Sequence, residues 1–392
     1  MPRGGKTPYG LRFRPRGRLV LDSVPVEEWS WTPHDPRGAR LRDAPEPSPN
    51  AAQTNYRPSG RRQRVVLVFE AGVQSTGFLN ALRRQRLKYF YLDYLELMER
   101  GRVQFSVASR EPSSLRLGPA RLLLRDVAAV IWAQPFDVAT RVPLRPAAHH
   151  LYLHRWMQVL RDLKGLLPEA VLWLPSHPLN GSNDWQDKLS ELRYAQRLGL
   201  RVPESILTND ASVVSAFVRR ARGRVLYKEM SQARIPFRTG FVRVREPLGR
   251  LENSPCGFQR YVEKAYDVRA VVIGGRVFAC RIDSQASPTA RIDWRIYDNA
   301  KVRWDRIRLP GRVEQALRRM MRKLDIAWGS FDLVKGVDGV FYFLEVNRPG
   351  ATYWLLPFVG LDVPQEIARF VREALSRRSR DKTTLGRSSI WR

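Results

Sequence analysis

Hydrophobic positions between residues 61 and 175 fall into short apolar runs separated by amphipathic stretches. Four runs have the Val, Ile, Leu and aromatic content of buried strands: 65–69, 88–94, 127–132 and 170–174. Two stretches between them have the apolar spacing of helices: 76–87 and 151–163. Because strands alternate with helices, residues 61–175 are predicted to form one parallel α/β domain.

The pattern changes after residue 175 to a few helices among many strands. Helices are predicted over 187–198, over 313–324, and from an N-cap supplied by Thr208-Asn209-Asp210 to Arg220. Strands are predicted over seven segments: 224–228, 241–245, 258–262, 268–273, 276–282, 330–334 and 340–346. The sequences Gly274-Gly275 and Gly336-Val337-Asp338-Gly339 are typical of hairpin turns. This second part is therefore predicted to be a mixed α+β region.

The two ends of the chain differ from the middle. Residues 1–60 are rich in Pro, Arg and Gly, and segment 43–50 can continue neither a helix nor a strand. We expect this basic extension to be largely irregular and the tail, from about Ser376 and over 379–392, to be loose. No apolar run approaches the roughly 20 residues that span a bilayer, and the polar, Pro-rich N-terminal segment lacks the apolar stretch of a signal peptide. We therefore expect a soluble, cytoplasmic protein without a membrane partner.

The net charge of the chain indicates which classes of molecule the protein is expected to bind. The 392 residues include 68 Lys and Arg against 38 Asp and Glu, a formal net charge of +30, and only 10 of the cations are lysines. A field of this sign attracts nucleic acids, anionic cofactors or acidic peptides. The two cysteines, Cys256 and Cys280, exclude a disulfide-dense scaffold and a four-cysteine metal site.

The most informative polar residues lie on the last predicted hairpin. Asp332 is on its first strand, and Glu345 and Asn347 are on its second. Residues two apart on a strand share a face, and strand pairing can bring Asp332 beside them. Two carboxylates and an amide oxygen suit Mg²⁺ that keeps further contacts for phosphates. The alternative is a solvated strand face that carries unrelated acids.

Asp332, followed by Phe343-Leu344-Glu345-Val346-Asn347-Arg348-Pro349-Gly350, resembles the metal-binding end of the ATP-grasp superfamily. The resemblance implies ATP and Mg²⁺ as cofactors and assigns the metal to Asp332, Glu345 and Asn347. It implies further roles: Lys188 and Lys228 on the nucleotide phosphates, Gly240 in a loop over them, Gln259, Tyr261 and Val262 near the adenine, Asp267 near the ribose, and Arg269 and Arg295 as catalytic arginines, with Arg295 contacting an acyl phosphate.

Within this superfamily the chain resembles the microviridin-type, or graspetide, peptide ligases. The resemblance is carried by Leu200–Asp210, Ile282–Gln285 and Asp293–Arg295. It implies an α/β protein with a pre-ATP-grasp domain over 61–175, followed by a two-lobed α+β ATP-grasp fold with lobes at 176–258 and 259–378. The sequence after Asn347 departs from the family, which affects substrate preference rather than metal binding. The extension has no counterpart there.

The resemblance implies an ATP-dependent carboxylate ligase. Its substrate would be an acidic ribosomal precursor peptide with leader and core, whose Asp or Glu side chains are activated as acyl phosphates and joined to hydroxyls or amines. Two alternatives stay open: a ligase that adds glutamate or another amino acid to a peptide or metabolite, and a non-catalytic basic binding protein with a degenerate nucleotide site. A homodimer is also left open.

Other chemistries have weaker support in the sequence. Four histidines, at positions 149, 150, 154 and 177, have no cysteine partners, which disfavours a zinc site. A Walker-type phosphate loop and a Gly-x-Ser-x-Gly elbow are both lacking. Aromatic residues stand beside arginines, yet no nucleic-acid module is recognisable, and we expect no specific nucleic-acid partner.

Overall fold

The computed structural model describes residues 18–21, 53–70, 75–133, 146–176, 188–228, 240–245, 255–288, 290–294, 302–348, 352 and 355–380. In chain order, the first elements are β1 (Arg18–Leu21), β2 (Val65–Glu70), α1 (Ser75–Arg84), β3 (Lys88–Asp93), α2 (Tyr94–Arg100), β4 (Arg102–Gln104), β5 (Ser114–Leu117), β6 (Ala120–Leu123), β7 (Val127–Trp132), α3 (Pro146–Leu166) and β8 (Leu172–Leu174).

The remaining elements carry the predicted site residues. They are α4 (Lys188–Arg197), β9 (Ser205–Thr208), α5 (Ala211–Arg220), β10 (Val225–Lys228), β11 (Gly240–Arg245), β12 (Cys256–Arg260), β13 (Lys264–Ile273), β14 (Arg276–Ile282), β15 (Trp304–Ile307), α6 (Gly311–Lys323), β16 (Trp328–Gly336), β17 (Phe341–Asn347), α7 (Leu355–Val359) and α8 (Val363–Arg380).

The chain divides into two compact units. The smaller unit comprises the described parts of 1–30 and 203–263, and the larger comprises those of 31–202 and 264–392. A mixed α/β fold with one parallel sheet is confirmed. The predicted boundaries at 61–175, 176–258 and 259–378 stay a prediction, as does the two-lobed arrangement.

The larger unit contains the parallel sheet predicted from the apolar runs, with strand order β3-β2-β7-β8. Its central strand β2 is buried from Val65 to Phe69 because both faces are covered. Val66 and Val68 pack in one core with α1 and α8, and Val65 and Leu67 pack in another with α2 and α3. An unbroken apolar run, rather than an alternating one, is what a strand covered on both faces requires.

The three-stranded antiparallel sheet β4-β5-β6 and helix α2 were not predicted from the sequence. Their strands have only three or four residues, too few to show a clear alternation. Leu115, Leu117 and Leu122 are nevertheless buried in the same core as α2. Tertiary packing therefore defines these strands, because their local pattern is weak.

The expectation that residues 1–60 are largely irregular needs correction at two places. Strand β1 pairs with β11 in the smaller unit. In the larger unit, Thr54 forms a bridge with Phe90 of β3, and the buried Tyr56 hydroxyl donates a 2.7 Å hydrogen bond to Asp126. This second segment covers an edge strand that would otherwise present open backbone groups. Residues 1–17 and 22–52 lie outside the described residues.

The larger unit also contains an antiparallel sheet with strand order β15-β14-β13-β16-β17. One face packs against the apolar side of α6, where Phe331 and Phe343 meet Leu317 and Met320. The opposite face is apolar at Trp328 and joins the core that contains α1 and α8. Further along this second face the residues become polar, and the predicted metal ligands lie there.

The smaller unit is an antiparallel sheet, ordered β1-β11-β10-β12-β9, with α5 packed through Val214 and Phe217. The predicted helix cap is confirmed, because the Asp210 carboxylate accepts the backbone N–H groups of Ser212 and Val213. Strands β1 and β9 were not predicted.

Helix α8 continues past the residue at which the sequence predicts a loose tail to begin. Helix α8 continues to Arg380, so the expectation of a loose chain from Ser376 is wrong for 376–380, and the rest of 379–392, from residue 381, lies outside the described residues. Leu375 is buried against the parallel-sheet core, which explains why the Arg-rich sequence stays helical. Among the described helices, none has the length and apolar content to cross a membrane.

Candidate active site

A β-bulge in β17 sets the faces of the predicted metal ligands. Asp332 of β16 pairs with Glu345, whereas the next residue, Leu333, pairs with Phe343, so Leu344 is the extra residue. Phe343 and Val346 therefore both lie in the core against α6, although they are three positions apart. Glu345 and Asn347 lie on the other face and are partly exposed there, as the two-residue spacing predicts.

The Asp332 carboxylate is held by two neighbours on its own sheet. One oxygen accepts a 2.7 Å bond from Arg269 Nη1, and the other accepts a 3.1 Å bond from Asn347 Nδ2. Arg269 is the register partner of Asp332 on β13, which places the guanidinium directly across from the carboxylate. The guanidinium also lies over the ring of Trp294 at 5.8 Å. Strand register thus explains why these side chains meet.

Helix α4 brings a second cation to the same face. Lys188 is its first residue, and Lys188 Nζ lies 3.6 Å from Glu345 Oε2. Both side chains are more than four-fifths buried, so water screens this pair less than an exposed one. The larger unit therefore brings together five residues predicted from the sequence: Lys188, Arg269, Asp332, Glu345 and Asn347.

The donor set fits Mg²⁺ chemistry. In the described part of the chain, no three His, Cys, Asp or Glu side chains cluster in a way that could hold a metal ion. Asp332 and Glu345 with the Asn347 amide are instead two carboxylates and a neutral donor. Mg²⁺ commonly binds proteins through one or two carboxylates and completes its shell with water and phosphate oxygens. The Asn347 amide donates to Asp332, and a half-turn of the amide group would direct its oxygen towards a cation held by that carboxylate.

Asp267 lies in a buried network. Both of its oxygens accept bonds from Lys264 Nζ, at 2.8 and 2.7 Å, and the Ser284 hydroxyl donates to it as well. Lys264 also donates to the carbonyl of Ile292 at 3.1 Å. Burial raises the pKa of Asp267, and the charge of Lys264 opposes that rise. This geometry gives Asp267 a structural role, and its assignment to a ribose stays a prediction.

A buried ion pair that the sequence analysis missed lies beside the predicted metal ligands. Glu191 Oε1 accepts a 2.8 Å bond from Arg348 Nη2. Glu191 is one turn after Lys188 on α4, and Arg348 directly follows Asn347. Burial raises the pKa of Glu191 to about 7, although the Arg348 charge acts in the opposite direction. The sequence signal was weak, because a glutamate on an amphipathic helix usually faces solvent.

The smaller unit carries most of the residues assigned to the nucleotide. Lys228 is the half-buried last residue of β10, and Gly240 begins β11 opposite Tyr227. Gln259 lies inside the sheet between β10 and β9, and its side-chain amide donates to Ser205 Oγ at 2.9 Å. These nucleotide assignments stay predictions.

Two further assigned residues follow the end of β12. Tyr261 and Val262 are half-buried, and the backbone N–H of Tyr261 donates to the Arg224 carbonyl at 2.9 Å. The guanidinium of Arg224 lies over the Tyr261 ring at 5.3 Å. The Tyr261 and Val262 assignments also stay predictions. The catalytic assignment of Arg295 lies outside the described residues.

Comparisons with known proteins identify the fold through structure alone. The sequence matches no protein-family model and no curated protein. Among solved structures, the macrocyclase MdnC bound with precursor peptide MdnA from Microcystis aeruginosa MRC has a TM-score of 0.67 and 22% identity, over 79% of this chain and 99% of that one.

Two further structures agree with this result. A RiPP-associated ATP-grasp ligase from Chryseobacterium gregarium, in complex with ADP and a leader and core peptide, has a TM-score of 0.68 and 18% identity, over 82% of this chain and 100% of that one. The ATP-grasp ligase PsnB, complexed with minimal precursor, Mg and ADP, has a TM-score of 0.61 and 20% identity, over 78% and 96%. The chain thus has the fold of the ATP-grasp ligases, as its motifs predict.

Proposed function

We propose that this protein is an ATP-dependent carboxylate ligase that closes rings between side chains of an acidic precursor peptide. The observation that carries the proposal is the polar face of β13, β16 and β17, where two carboxylates and an amide lie with two cations. The ATP-grasp fold supports it, because ligases with this fold are solved with ADP, Mg and precursor peptides.

Asp332, Glu345 and Asn347 would hold Mg²⁺. When bound, Mg²⁺ supplies positive charge next to the phosphates of ATP. Such electrostatic stabilisation, together with positioning, accounts for most catalysis of phosphoryl transfer. Lys188 and Lys228 would add compact ammonium charges to the phosphate oxygens. Arg269, paired with Asp332 at 2.7 Å, keeps that carboxylate fixed in position.

The proposed chemistry has two steps. A carboxylate oxygen of a substrate Asp or Glu attacks the γ-phosphorus of ATP, the bond from phosphorus to the bridging oxygen breaks, and ADP leaves. The resulting acyl phosphate is then attacked at its carbonyl carbon by a substrate hydroxyl or amine, which loses its proton as phosphate departs. The products are an ester or an amide, and the protein itself supplies position and charge rather than a nucleophile.

The net charge supports an acidic peptide as the substrate. A protein with a formal charge of +30 attracts anionic chains and steers them before contact. The MdnC and Chryseobacterium gregarium structures, which share the fold, are complexes with peptides. We propose that leader and core segments of one precursor both bind this protein.

Release of ADP tests the proposed function. We expect ADP to form only when ATP, Mg²⁺ and an acidic candidate precursor encoded near the gene are all present. A precursor whose Asp and Glu residues are replaced by Asn and Gln is the matched control and should release none, because an amide cannot accept the γ-phosphoryl group in this way. Equal ADP release with both peptides would contradict carboxylate activation.

A further inference from the structure

Helix α4 and the end of strand β17 are joined by a buried ion pair. Glu191 Oε1 accepts the 2.8 Å bond from Arg348, and Glu191 Oε2 accepts the backbone N–H of Val346 at 3.5 Å. The two charged side chains are 2% and 4% exposed. Neither can therefore reach a substrate, and any effect on catalysis must pass through the residues that they hold.

The neighbours of this pair are residues of the metal face. Val346 lies between Glu345 and Asn347, so a bond to its N–H restrains the backbone between two metal ligands. Glu191 is three residues after Lys188, on the same side of α4. The chain after α4 is fixed to β17 as well, because Phe343 N–H donates to the Arg201 carbonyl at 2.8 Å.

Stability alone does not account for such a pair. Moving two charges out of water has a free-energy cost that their attraction often fails to offset, and apolar residues of similar size are frequently as stable. Apolar side chains cannot replace the directional hydrogen bonds that the pair makes. A carboxylate that bonds Arg348 and the Val346 N–H at once allows one register of α4 against β17.

We propose that Glu191 and Arg348 are positioning residues for the metal site, which fix Glu345 and Asn347 on β17 and Lys188 on α4. The inference rests on the proposed function, because it assigns the pair to the Mg²⁺ face of that site. Partners that orient metal ligands typically change metal affinity or activity by roughly tenfold to a hundredfold when they are replaced.

The double variant Glu191→Met/Arg348→Met separates positioning from stability. It removes both charges together and fills the space with flexible apolar chains, so the melting temperature without ligand should stay close to that of the wild type. We expect the Mg²⁺ concentration for half-maximal ADP formation to rise roughly tenfold to a hundredfold. The Mg²⁺ concentration needed for ADP to raise the melting temperature should rise in parallel, and this second readout requires no turnover.

The matched control is Glu96→Met/Arg100→Met, an exposed pair on α2 of the same unit with a 2.6 Å contact. It should leave both Mg²⁺ dependences unchanged. If the first double variant does not fold, Glu191→Gln can replace it, because glutamine keeps the shape of glutamate and an oxygen towards Arg348. At low temperature this variant should raise the Mg²⁺ concentration for half-maximal ADP formation by a smaller factor.

Two results would overturn the inference. A folded Glu191→Met/Arg348→Met or Glu191→Gln variant with the Mg²⁺ dependence of the wild type shows that the pair has only a structural role, and leaves the proposed function intact. A wild-type protein whose melting temperature and ADP formation do not respond to Mg²⁺ overturns the proposed function, and the inference with it.

Discussion

Replacing Glu345 with Ala is expected to lower Mg²⁺-dependent ADP formation on the order of 10²–10³-fold, the typical cost of one charge-stabilising contact in an active site. The Glu345 side chain is mostly buried beside Lys188, but it lies outside the core that holds Phe343 and Val346. The protein should therefore still fold, with a melting temperature that falls less than after truncation of a core residue. Steady-state ADP release, measured over a range of Mg²⁺ concentrations, gives the effect.

Two variants sharpen this result. Glu345→Gln keeps an oxygen donor but loses the charge, and should fall between Glu345→Ala and the wild type. Glu314→Ala on α6 removes a glutamate of a partly buried helical pair with Arg318, away from the predicted metal ligands, and should leave turnover unchanged. Turnover of Glu345→Ala near that of the wild type would show that the metal assignment is wrong.

Replacing Lys264 with Met is expected to destabilise the protein by about 3–5 kcal/mol, because it leaves Asp267 buried without its partner. Protonation of Asp267 relieves part of this cost. Since the folded state then raises the pKa of Asp267 above its unfolded value, the loss of stability should be smallest below about pH 4 and should grow as the pH rises. Urea unfolding at several pH values measures both effects.

The double variant Lys264→Met/Asp267→Leu is the matched control. It removes the buried charge as well as its partner, and most of the lost stability should return. A cost below about 1 kcal/mol for Lys264→Met alone, as found for exposed pairs, would contradict the buried network.

The regular parts of the fold follow from local pattern. The apolar run at 65–69 predicts a buried strand, and the two-residue spacing of Glu345 and Asn347 predicts that their side chains share a face. Each prediction depends only on residues close together in the chain, and both are confirmed. The turn before β17 also follows from the local sequence, because Gly339 takes a positive φ of 79°, which glycine adopts without strain.

The missed features depend on distant residues. The bulge at Leu344 exists because Phe343 and Val346 both pack against α6, and no pattern inside β17 requires that. Glu191 is 157 positions from Arg348, and taken alone it looks like a solvent-facing residue of an amphipathic helix. The pattern of a single sequence contains no information about such distant partners. For this reason the sequence analysis named the candidate metal ligands but not the ion pair behind them.

The mass of a precursor peptide after incubation tests the central claim most directly. The wild-type protein, mixed with ATP, Mg²⁺ and its acidic precursor, should remove the mass of one water for every ring that it closes, and the Glu345→Ala variant should leave the peptide mass unchanged. A ligase that adds glutamate would instead raise the mass by one residue, and a binding protein would not change it. A mass gain, or no change with the wild-type protein and its cognate peptide, would contradict ring closure.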